Sequence, residues 1–111
     1  MDDQEFVPMT LVHRSVVVLS LTLIAPAVHA SPELARSKNC VACHSAERKM
    51  IGPSYKAIAE RHANDASSVK ALSEKVQKGG GGVWGPMPMP AQANVSPEEA
   101  EALVTWILTH K

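Results

Sequence analysis

Cys40-Val41-Ala42-Cys43-His44 constrains this chain more than any other stretch. It is a C-x-x-C-H motif, the signature of covalent c-type haem attachment. Two thiols one helical turn apart can add to the two vinyl groups of a porphyrin, and the histidine that follows then lies under the iron as an axial nitrogen ligand. A zinc half-site, a disulfide or a thioredoxin-like redox pair could also use two cysteines so spaced. Zinc would need further ligands, but no other cysteine occurs and only His44, His62 and His110 follow Cys43. A redox pair would need a βαβ context, and no alternating apolar strand precedes Cys40. His44 beside the pair therefore favours haem.

With 111 residues the chain is long enough for one domain, and eleven basic residues balance eleven acidic ones. No basic excess points to nucleic acid. Residues 1–30 read as a secretory signal peptide: an apolar run from Val16 to Ala25 follows Arg14, and Val28-His29-Ala30 offers small residues for cleavage before Ser31. The alternative is an uncleaved membrane anchor, but the run is short for a span of about 20 residues, which favours cleavage, and no stable membrane insertion is expected afterwards. The acidic start, Asp2, Asp3 and Glu5, suits a signal poorly, and Met9 before His13 and Arg14 makes a more ordinary beginning.

Residues 31–111 are then the folded domain, with ten Lys and Arg against eight Asp and Glu and only Tyr55, Trp84 and Trp106 as aromatic residues. A domain this small struggles to bury enough apolar surface unaided. A covalently held haem would supply a large flat apolar core.

The elements read as short helices. The first starts at Ser31, its N-cap, with Pro32 at the first helical position, Glu33 in the first turn, and Leu34 and Ala35 inward. Ser45 to Pro53 is a loop, whose carbonyls could accept from the second ring nitrogen of His44; Met50 in it is expected to pack. Ser54 to His62 carries Tyr55, Ile58 and Ala59 on one helical face, with His62 as a surface residue at the end. Asn64 to Ser68 is a turn and cap cluster, followed by a helix to about Lys78 with Val69, Leu72 and Val76 in line. The run Gly79–Gly82 lacks the Lys-Ser/Thr of a nucleotide loop, and close approach of backbone to a flat cofactor accounts for it. Met87-Pro88-Met89-Pro90 cannot be helical and holds the chain extended. Such rigidity suits a sixth iron ligand, though the residues alone do not choose between Met87 and Met89. Ser96-Pro97-Glu98-Glu99 opens the last helix as a capping box with a Val95–Ala100 staple, and the helix runs to about His110 with Ala100, Leu103, Val104 and Ile107 inward and Trp106 at the border.

Taken together, the haem motif, Lys49-Met50-Ile51-Gly52-Pro53-Ser54-Tyr55, Gly82-Val83-Trp84-Gly85-Pro86 with Pro88-Met89-Pro90, and the last helix ending in Trp106-Ile107-Leu108 resemble the short bacterial class I cytochromes c. More narrowly they are similar to the small periplasmic monohaem cytochromes that donate electrons to nitrite reductase. The resemblance implies an all-α cytochrome c fold, four or so short helices around one haem c, with the N- and C-terminal helices packed across each other. It implies thioether bonds at Cys40 and Cys43 and iron ligation by His44 and Met89. It further implies that the Pro53 carbonyl holds the His44 ring and that Trp84 and Lys75 hydrogen-bond a haem propionate. Lys75 stands where the family often has arginine, and Gln92 where it often has asparagine near the methionine sulfur.

The function implied is a soluble, monomeric periplasmic electron carrier rather than an enzyme, passing single electrons through a His/Met-ligated iron to partners such as nitrite reductase, a terminal oxidase or cytochrome c peroxidase. The alternatives are a haem enzyme or gas sensor with a displaceable sixth ligand, and a non-haem metal or thiol-redox module.

Overall fold

A computed structural model describes residues 24–26, 29 and 32–111. The signal peptide reading and the Ser31 cap fall almost wholly outside the described residues. Within them lie four α-helices: α1 (Pro32–Ser37), α2 (Tyr55–Arg61), α3 (Ser68–Lys78) and α4 (Pro97–Ile107), with a single turn of 3-10 helix at Cys40–Ala42. No strand occurs among the described residues beyond one isolated bridge, Gly80 to Met89. None of their helices is long and apolar enough to cross a membrane.

The four-residue logic of helix ends explains the boundaries. Pro32 opens α1 and Ala35, 1% exposed, is its inward residue. Asn39 takes a left-handed conformation (φ 62°) that stops α1 and turns the chain into the haem motif; asparagine is among the few residues that tolerate it. Ser54 accepts from the Ala57 N–H at 3.1 Å to start α2. Asp65, not Ser67, does the capping before α3, accepting from the Ser67 N–H at 2.9 Å and its hydroxyl at 2.6 Å. At α4 both halves of the capping box form, Glu99 N–H to Ser96 Oγ at 3.1 Å and Ser96 N–H to Glu99 Oε2 at 3.0 Å. The helix stops at Ile107, short of His110, because the Thr109 and His110 N–H groups close onto the Trp106 and Ile107 carbonyls in tighter turns.

The core is small: Ala35, Val95, Ala100 and Leu103 form one buried cluster, with Leu34, Cys40, Val76 and Trp106 packed on it. Ala35 of α1 and Ala100 of α4 both belong to this cluster, while α4 makes its most extensive contact along α3. Lys38 locks the crossing, its ammonium reaching Glu99 Oε2 at 2.9 Å and the Asn94 carbonyl at 2.7 Å. Glu99 therefore caps α4 and holds α1 to it at once. Those contacts, the Ser96 N–H first and Lys38 second, hold its carboxyl below the usual range.

Candidate haem site

Helices α2, α3 and α4, the haem motif and two loops enclose an apolar cleft whose walls carry Cys40, Cys43, His44, Pro53, Lys75, Trp84 and Met89 together. All seven candidate site residues are thus on one cleft. Ile58 of α2, Leu72 and Val76 of α3 and Leu103, Val104 and Ile107 of α4 complete the walls. The inward stripes of three helices converge on this space as well as on each other.

The His44 wall is tightly built. The Cys40 carbonyl accepts from the Cys43 N–H at 3.2 Å and from the His44 N–H at 3.0 Å, so the motif closes on itself as a turn. His44 Nδ1 lies 2.7 Å from the Pro53 carbonyl oxygen. A carbonyl can only accept, so Nδ1 bears a proton, and in the neutral ring that leaves the lone pair on Nε2. A second device was not legible in the sequence: Gly52 lies flat against the same ring. A Cβ there would sit 2.6 Å from His44 Cε1 and 2.9 Å from Nδ1, closer than atoms can approach. Tyr55 stacks near the ring as well, centroids 5.9 Å apart and planes at 22°. Trp106 and His110 each meet Tyr55 at 5.3 Å, so an aromatic group backs the histidine. The loop between is sewn by Gly52 N–H to the Cys43 carbonyl (2.8 Å) and Tyr55 N–H to that of Ser45 (2.9 Å). Met50, expected to pack, is instead 47% exposed on this loop; the backbone bonds alone fix the segment, leaving the side chain without a hole to fill.

The Met89 side is assembled differently. Gly80 and Met89 exchange both backbone bonds, Gly80 N–H to Met89 O at 3.0 Å and Met89 N–H to Gly80 O at 2.8 Å. Gly79, at φ 74°, allows this approach: a Cβ would lie 2.7 Å from the Met89 carbonyl oxygen and 2.8 Å from the Ala91 nitrogen. Gly81 passes Pro88 less tightly, a Cβ there lying 3.2 Å from the Pro88 Cα. Gly79 and Gly81 thus serve the approach of the chain to its own methionine loop, while Gly80, Gly81 and Gly82 line the cleft. Met89 is half-buried while Met87 is 65% exposed, and both line the cleft. Gln92 donates from its amide to the Pro90 carbonyl at 3.0 Å and from its backbone to the Val76 carbonyl at 3.0 Å. Its side chain therefore anchors the end of the loop. Lys75 lies beside Gly80 and makes no ion pair among the described residues.

The residues fit a covalently attached haem. Burial, and more weakly Cys43, push the Cys40 thiol above its ordinary value, although a backbone bond opposes this. That is the reverse of the depressed thiol of a thioredoxin-like redox pair. The Tyr55 hydroxyl is buried without a hydrogen-bond partner, and burial pushes its pKa up too. Apolar walls, a histidine whose Nδ1 is held by the Pro53 carbonyl and two cysteines on the same wall match a flat apolar group bearing a metal. Among the described residues no cluster of three or more His, Cys, Asp or Glu offers a competing metal site.

Comparison with known proteins agrees. Residues 29–111 match the Cytochrome c family. The chain belongs to that family. This small bacterial class I cytochrome is 44% identical over 92 residues to cytochrome c-552 of Nitrosomonas europaea, covering 83% of this chain and 89% of that one. It is 45% identical over 92 residues to cytochrome c-551 of Pseudomonas aeruginosa, covering 81% and 88%. The crystal structure of the wild-type Nitrosomonas europaea protein superposes with a TM-score of 0.71, taking in 73% of this chain and all of the other. As a cytochrome c it carries covalently attached haem c, for which Cys40 and Cys43 provide the motif, and it is an electron-transfer protein.

Proposed function

We propose that residues 1–30 export this cytochrome and are removed, and that residues 31–111 act in the periplasm as a one-electron carrier with His44 and Met89 as the two axial ligands. The observation that carries the ligand assignment is the paired backbone bonding of Met89 to Gly80, which seats a half-buried thioether in the same cleft as the Nε2 lone pair of His44. Met87 has no such backbone pair and is mostly in solvent.

Haem c supplies an iron that changes oxidation state by one electron. The chain does the rest. Cys40 and Cys43 anchor one edge of the group. Pro53, Gly52 and Tyr55 hold the His44 ring in one orientation and one tautomer, so little has to move when the charge changes. Met89 would hold the iron together with His44 and keep water and gases from it; His/Met ligation and burial both raise the reduction potential. Trp84 and Lys75 would donate to a propionate. Ile51, Val83, Trp84 and Met87 line the cleft and are exposed, forming an apolar rim with Lys49 close by in sequence. Such a rim suits brief, small-area docking with redox partners, such as nitrite reductase, a terminal oxidase or cytochrome c peroxidase.

The test is the visible to near-infrared spectrum of the exported protein, oxidised and reduced, with and without carbon monoxide. A c-type reduced spectrum, a weak sulfur-to-iron band when oxidised and indifference to carbon monoxide are expected. Ready carbon monoxide binding without that band would instead indicate an open sixth position and a haem enzyme or sensor.

A further inference from the structure

Trp84 lies in segment 81–88, which is exposed throughout, and its indole is itself 38% exposed. A side chain that must present one hydrogen-bond donor in a fixed direction is poorly served by such a setting. The loop's backbone bridge pins Met89, five residues further on, and leaves Trp84 unpinned. Gly85 follows it at φ 121°, and a Cβ there would meet nothing within 4 Å.

One contact compensates. The guanidinium carbon of Arg61 lies 5.1 Å from the centroid of the Trp84 ring, the one cation over an aromatic face among the described residues. Arg61 is the last residue of α2 and makes no ion pair among those residues. Its planar group can stack flat on the indole face as a lysine ammonium cannot. At the C-terminal end of α2 it also meets the negative end of the helix dipole, which favours a cation there. Helix α2 also carries Tyr55 and Ile58 in the cleft wall.

We propose that Arg61 is a positioning residue for the haem: stacked on Trp84, it clasps the end of α2 to segment 81–88 and fixes the plane of the indole that meets the propionate. The inference rests on the placement of Trp84 at a propionate made above. A purely helix-stabilising Arg61 would act on α2 without regard to Trp84, and this difference can be measured.

The experiment uses the haem-loaded protein as wild type, Arg61→Ala, Arg61→Lys, Trp84→Phe and the double variant Arg61→Ala/Trp84→Phe. Two quantities are read: the reduction potential, and the hydrogen-exchange rate of the Trp84 indole N–H by NMR. Arg61→Ala should speed indole exchange severalfold and move the potential in the same direction as Trp84→Phe, by less. Arg61→Lys should recover part of both. In the Trp84→Phe background the arginine change should move the potential no further, because residues that act through one contact are not additive. If Trp84→Phe shifts the potential while Arg61→Ala changes neither quantity, the clasp is wrong and the propionate assignment stands. If the two shifts simply add, Arg61 acts by its charge alone and the clasp is also wrong. If Trp84→Phe leaves the potential unchanged, the propionate assignment fails and the proposal fails with it.

Discussion

The two sides of the haem cleft are held by opposite strategies. On the His44 side a side chain is fixed by its neighbours: a carbonyl at 2.7 Å, a glycine pressed to the ring face, and a buried tyrosine stacked beyond it. On the Met89 side the backbone is fixed and the side chain follows, through one pair of bonds to Gly80 and two prolines that restrict the chain. The segment before Met89 is exposed, whereas Ser54, Tyr55 and Ala59 behind His44 are buried. The difference suits the ligand pair proposed above. An imidazole must be turned to one orientation and one tautomer, which takes contacts on the ring; a thioether has no proton to place, so positioning its backbone suffices.

Perturbing each side in turn sharpens this contrast. The largest effect should come from Cys40→Ala/Cys43→Ala, which removes both attachment points. Haem should then be extractable from the denatured chain with acidified organic solvent, where the native protein retains it. Next, Gly52→Ala drives a methyl into the His44 ring, and overpacking of this kind costs about 1–3 kcal/mol. The loss should appear as global destabilisation in a denaturant titration. Gly79→Ala meets the Met89 carbonyl and needs a positive φ, a strain of about 1–3 kcal/mol. Here the loop should loosen before the fold does, so carbon monoxide binding to the reduced protein should appear with a smaller fall in stability. If Gly52→Ala opened the sixth position and Gly79→Ala only unfolded the protein, the contrast would be inverted.

Two smaller effects test its edges. Glu99 ties α1, which leads into the haem motif, to α4 behind it. Its carboxyl is held below the ordinary range by the Ser96 N–H and Lys38. A depressed carboxyl adds stability above the ordinary carboxylate range and loses it as the pH falls through the lowered value. Glu99→Gln keeps a capping-box side chain but drops the charge facing Lys38, so unfolding should become less steeply dependent on pH on the acid side. The smallest change is expected from Met87→Leu. Carbon monoxide indifference and the sulfur-to-iron band should persist, since Met87 is mostly in solvent.

Much of this arrangement was legible because it is local. The Ser96–Glu99 capping box, the α3 stripe through Leu72 and Val76, and the placement of Ala35 and Ala100 inward all depend on spacings of three or four residues. Gly52 escaped because its role is toward a ring eight positions earlier, across a loop whose path no periodicity describes. Asn39 escaped because one left-handed residue leaves no repeating pattern. Gly80, Gly81 and Gly82 line the cleft, as a backbone approaching a flat cofactor would, but the second role of Gly79 and Gly81, their close approach to the methionine loop, has no signal in the sequence.

By itself the sequence determined the haem chemistry and the helical elements. C-x-x-C-H is a reaction site within five residues, and helix caps and stripes are set by near neighbours in the chain. Only the tertiary structure decided which surfaces meet: that Gly52 and Tyr55 confine His44, that Gly80 rather than solvent pairs with Met89, and that Arg61 lies over Trp84. Such contacts join segments separated by up to 23 residues of chain, and their partners are chosen by the packing of three helices around a shared apolar space, which no single segment encodes.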